Sequence, residues 1–125
     1  MDINYRGIIW AGIHVENLEL AIRFYRDTLG LSLLGGNAHY AHFDAGADGL
    51  LELFSGGKSS PSPKGPKAQS TMVALRVENL AFTEEILRKR GVRFTENSGT
   101  FENMSWSTLV DPEGNCIEIK QISET

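Results

Sequence analysis

Residues 10–30, Trp10-Ala11-Gly12-Ile13-His14-Val15-Glu16-Asn17-Leu18-Glu19-Leu20-Ala21-Ile22-Arg23-Phe24-Tyr25-Arg26-Asp27-Thr28-Leu29-Gly30, read as a strand, an asparagine cap and a helix closed by glycine. The same order returns between Met72 and Gly91. Ile13-His14-Val15-Glu16-Asn17-Leu18 lies over Leu75-Arg76-Val77-Glu78-Asn79-Leu80 at an offset of 62 (76 − 14), with Val, Glu, Asn and Leu identical. A unit repeated inside one short chain implies a module built twice, its copies packed together.

Working outward, Ile9, Ala11, Ile13 and Val15 alternate with Trp10, Gly12 and His14, which puts the apolar set on one strand face. Asn17 suits a helix N-cap. Leu18, Ala21, Ile22, Tyr25 and Leu29 then form one helical stripe, and Gly30 ends it. Strands are predicted at 31–34, 38–44 and 50–54, with a turn at Gly35-Gly36-Asn37. The second copy predicts a strand over 71–77, a cap at Asn79, a helix over 80–90 and strands at 92–96, 104–110 and 115–121. Asp111-Pro112-Glu113-Gly114 is a turn signature. Residues 55–70, rich in Ser, Pro, Gly and Lys, lack apolar pattern and read as a solvated connector, or as a lysine-bearing lid. The expected fold is α+β: one domain over residues 1–125 made of two βαβββ modules, 7–54 and 71–122, forming a curved mixed sheet cup.

The size, 125 residues and 13.8 kDa, fits a single domain. A net charge of −4 argues against nucleic acid as partner and mildly favours neutral or cationic small molecules. The one cysteine, Cys116, forms no intrachain disulfide, which fits a reducing compartment. The opening Met1-Asp2-Ile3-Asn4-Tyr5-Arg6 has no leader pattern, and no apolar run is long enough to span a membrane. Cytoplasmic residence is the expectation.

Strand parity leaves a second face that packing does not explain. It holds Trp10, Gly12, His14, Leu50, Glu52, Phe54, Met72, Ala74, Arg76, Trp106, Thr108, Cys116, Glu118 and Lys120. Large aromatics with a few placed charges suit a ligand face; the alternative is a face open to water or buried in a dimer. Glu52 and Glu118 sit mid-strand at equivalent places of the repeats. Paired about a pseudo-twofold axis, the two carboxylates converge and need a divalent metal, a cationic ligand, a neighbour such as Arg76 or Lys120, or a proton. Cys116 reads as a buried, inert thiol.

The Phe24-Tyr25…Leu29-Gly30 and Asp111-Pro112-Glu113-Gly114-Asn115 signatures on twin strand-helix-three-strand units resemble the vicinal oxygen chelate superfamily, which includes glyoxalase I, bleomycin-resistance proteins and extradiol dioxygenases. The resemblance covers roughly residues 7–122. It implies four metal-ligand positions, which fall here on Trp10, Glu52, Met72 and Glu118. Indole offers no free lone pair, and a thioether is too soft for an oxygen-rich divalent site. His14 lies four residues past Trp10, about 13 Å at ~3.3 Å per residue. His39 and His42 have opposite parity, so at most one faces the cup.

The resemblance therefore points toward the metal-free, drug-binding branch. The first reading is a homodimeric binder that sequesters a small aromatic or cationic ligand without cofactor, using Trp10, His14, Glu52, Phe54, Met72, Arg76, Trp106 and Glu118. The second is a glyoxalase I-like lyase or isomerase in which Glu52 and Glu118 hold a divalent ion and one moves a proton. A third is a structural or regulatory dimer with an occluded cup.

Overall fold

The computed structural model describes residues 2–124. In the first module, β1 (Trp10–Val15) leads into α1 (Leu18–Arg23), which runs on as a π-helical turn at Phe24–Thr28. Then follow β2 (Ser32–Gly36), β3 (Tyr40–Asp44) and β4 (Leu50–Ser55). In the second, β5 (Val73–Arg76) leads into α2 (Leu80–Lys89), β6 (Arg93–Phe94), β7 (Gly99–Phe101), β8 (Met104–Val110) and β9 (Cys116–Ile122). β1 pairs parallel with β4, and β5 parallel with β9, because each helix carries the chain back across its sheet; the other pairs are antiparallel. The chain thus builds two mixed sheets, ordered β1-β4-β3-β2 and β5-β9-β8-β6, with β7 added on β8. No helix among the described residues is long and apolar enough to cross a membrane.

Both caps form as the repeat implies. Asn17 accepts from the Leu20 N–H at 3.1 Å, and Asn79 from the Phe82 N–H at 2.9 Å. The inward strand faces supply the core: Val15, Phe43, Leu51, Leu53, Leu109 and Ile117 are at most 1% exposed, and Ala11 and Ile13 are partly buried against them. With Leu18, Ala21 and Tyr25 from the first helix and Leu87 from α2, they make one core shared by both modules.

Several expectations are corrected. β1 starts at Trp10 and leaves out Ile9, since its partner β4 begins at Leu50. Ile9, expected in the core, is 63% exposed because nothing covers the chain ahead of that pairing. Gly35-Gly36 is not a turn but the end of β2, which a bulge after Leu33 shifts in register against β3. The strand expected at 92–96 shrinks to two residues, and β7 is an additional strand. The 55–70 segment is no free connector. Ser60 and Lys64 N–H groups donate to the Glu113 and Gly114 carbonyls, and Gln69 bonds both N–H and C=O of Cys116.

The turn at Asp111 joins the modules. The Asp111 carboxylate accepts from the Glu113 and Asn115 N–H groups, from the Asn115 side-chain amide, and from the Tyr25 hydroxyl at 2.8 Å. Glu113, also buried, accepts from the Glu16 and Asn17 N–H groups at 2.7 Å each, at the entrance to α1. Burial, and then the Asp111 charge, push the Tyr25 hydroxyl well above its ordinary pKa. Tyr25→Phe should cost about 1–2 kcal/mol in chemical denaturation, because Asp111 keeps its other donors. Asp111→Ala should cost more, about 3 kcal/mol, by stranding several buried donors. Since folded Tyr25 keeps a proton that the unfolded chain loses near pH ~10, stability should fall as pH rises above that value, and less steeply in Tyr25→Phe.

Candidate functional site

On the first sheet, the face away from the helices is built in cross-strand rows. Gly12, Glu52 and His42 are in register, as are His14, Phe54 and Tyr40. Because glycine leaves its row empty, the indole of Trp10 folds over it: a Cβ on Gly12 would stand 2.5 Å from the ring. The Trp10 Nε1–H then donates to Glu52 Oε1 at 2.7 Å. The Phe54 ring lies beside both Trp10 (6.1 Å between centroids) and His14 (5.4 Å). His42 sits cross-strand from Glu52, so of the two histidines it is the one on this face.

The second sheet repeats the arrangement with different partners. Trp106 lies over Gly99, where a Cβ would stand 2.9 Å from the ring. Lys120 Nζ is 5.4 Å from the Trp106 ring centroid and 3.2 Å from Glu118 Oε1. Glu118 is in register with Ala74 and with buried Thr108. Arg76 pairs with Glu124 at 2.8 Å on the exposed side. Cys116 is buried; burial and the nearby Asp111 charge raise its thiol pKa, so it stays protonated at neutral pH.

β1 and β5 are edge strands of the two sheets, and among the described residues no ladder joins them. They line a cleft of about 1610 Å³. Its walls include Trp10, Ile13, His14, Met72, Leu75 and Arg76, and the docked 55–70 segment adds Lys58 and Lys64. Lys64 Nζ donates to Asn115 Oδ1 at 2.8 Å, which holds the lysine in place. The lysine-bearing reading of the segment thus meets the cleft, but the docking that holds it there carried no sequence signal, because its anchors are mostly backbone groups.

Of the sequence-predicted site residues, Trp10, His14, Met72 and Arg76 line the cleft; Glu52, Phe54, Trp106 and Glu118 do not. Glu52 and Glu118 stand on separate sheets, one engaged by an indole and the other by a lysine. Among the described residues, no three His, Cys, Asp or Glu side chains gather where they could hold a metal ion. The donor set at the family positions, two carboxylates with an indole and a thioether, does not fit a divalent metal.

These elements define a two-module α+β protein with a cleft between its edge strands. A model of the glyoxalase/bleomycin resistance protein/dioxygenase superfamily matches residues 7–119. The chain belongs to that superfamily. Solved structures share the fold. A glyoxalase/dioxygenase from Nostoc punctiforme aligns with TM-score 0.78 at 18% identity over 98% of this chain and 100% of that one. An antibiotic-binding protein from a Streptomyces species aligns at 0.73 and 24% over 98% and 100%. Lactoylglutathione lyase from Agrobacterium tumefaciens aligns at 0.73 and 17% over 94% of each chain. No curated protein sequence matches the chain.

Gly12→Ala should displace the Trp10 indole from Glu52, since the clash falls on the ring's movable end. Tryptophan emission should shift to the red, with a stability change within about 1 kcal/mol, because the broken bond is solvent-exposed.

Proposed function

We propose that the protein binds and sequesters a small aromatic compound without a metal, in the cleft between β1 and β5. The observation that carries this is that Trp10 and Met72, at the two positions where a metal enzyme of the family would need ligands, both line that cleft. An indole face and a polarisable thioether suit a flat ring, each such contact contributing about 0.5–1.5 kcal/mol. The remaining wall residues are mostly apolar, as in ligand sites generally.

A homodimer is the assembly that suits these sheets. Among the described residues the outer edges of β2 and β7 are unpaired, and Leu34 and Phe101 on them are exposed, so a second copy would cover surface that is otherwise prone to aggregate. Sedimentation equilibrium should then return twice the 13.8 kDa chain mass.

The competing reading is a glyoxalase-type lyase. One observation favours it: His42 stands beside Glu52 and supplies a possible second donor. Elemental analysis of the purified protein separates the two. We expect no stoichiometric divalent metal; a metal lost in Glu52→Ala or His42→Ala would establish the lyase site instead. Small aromatic compounds should quench tryptophan fluorescence, and Trp10→Ala should abolish that quenching while Trp106→Ala retains it. Unchanged quenching in Trp10→Ala would remove the cleft as the site.

A further inference from the structure

We infer that the compound held in the cleft is an aromatic anion; this rests on the cleft being the binding site. The charged residues lining it are Arg6, Lys58, Lys64 and Arg76 against a single acid, Asp48. Arg76 is matched by Glu124. Among the described residues, Arg6, Lys58 and Lys64 have no carboxylate within salt-bridge distance. Lys64 is half-buried and is met by the neutral amide oxygen of Asn115, so its charge is positioned but not cancelled.

The chain as a whole carries −4, so this is a local excess of positive charge on an acidic protein. Apolar walls lower the effective dielectric around it, which strengthens its pull on an entering anion. The carboxylates that suggested a cationic ligand, Glu52 and Glu118, do not line the cleft, and each already has a partner. A flat ring against Trp10 and Met72, with a carboxylate, sulfonate or phosphate directed toward Lys58 and Lys64, satisfies both halves of the lining.

The test uses three probes of one shape: 2-naphthoate, 2-naphthalenemethanol and 2-naphthylmethylammonium, titrated calorimetrically into the full-length protein. The expected result is naphthoate binding about tenfold tighter than the alcohol, and the ammonium weakest. The order should flatten near 0.5 M salt, where charges are screened within a few ångströms. Lys58→Glu and Arg6→Glu, both at exposed positions, should lower naphthoate affinity and spare the alcohol. Equal affinities for all three probes, or preference for the ammonium, would overturn the charge inference and leave the aromatic site standing. If none of the three binds, the binding reading itself fails.

Discussion

The structure depends on one buried carboxylate. Asp111 lies 1% exposed between the modules and meets four donors, three from its own turn and one from Tyr25 of the other module. An ionised carboxylate in such a place is tolerable only when its lone pairs are taken. Here the turn is shaped by the carboxylate, and the Tyr25 hydroxyl fixes where that turn sits against the first helix. Glu113 extends the joint by capping the entrance to α1 from outside its module. Together with the core that both modules share, this joint fixes one module against the other and so the width of the cleft between β1 and β5.

The joint also organises the 55–70 segment. Gly114 adopts φ +87°, and a Cβ there would meet the Ser62 carbonyl oxygen at 2.5 Å. The segment therefore packs directly on the turn backbone, and its proline-rich sequence limits the entropy lost in doing so. Two of its lysines end on the cleft wall. A connector between repeats has become part of the site because the turn that locks the modules also offers it free carbonyls.

Much of the fold was legible because duplication and parity are local properties. The caps at Asn17 and Asn79, the helix stripes and the inward strand faces follow from residue order alone. Ile9 shows the limit: parity assigns a face, but burial needs a neighbour that covers it, and β4 begins too late to provide one. The candidate site was legible in part. Repeat symmetry makes Glu52 and Glu118 equivalent; it does not say which surfaces of the halves meet, and within the chain each carboxylate is engaged on its own sheet. The bed that Gly99 makes for Trp106 depends on cross-strand register, which sequence parity leaves open; Gly12 and Trp10 share one face of the same strand.

The same distinction governs the charge of the ligand. Net charge is a sum over the whole surface, and at −4 it favours neutral or cationic partners at long range. Beyond about 10 Å that sum is screened at ordinary ionic strength, so what a small molecule feels on entry is the set of charges lining the wall. There the balance reverses: Arg6, Lys58, Lys64 and Arg76 line the wall against Asp48, while the buried carboxylates of Asp111 and Glu113 are held in the joint. Among the described residues, the basic residues of the 55–70 segment have no carboxylate partner. An acidic chain can thus present a basic cleft, since all but one of the described side-chain carboxylates lie off the cleft wall while Lys58 and Lys64 of the 55–70 segment line it.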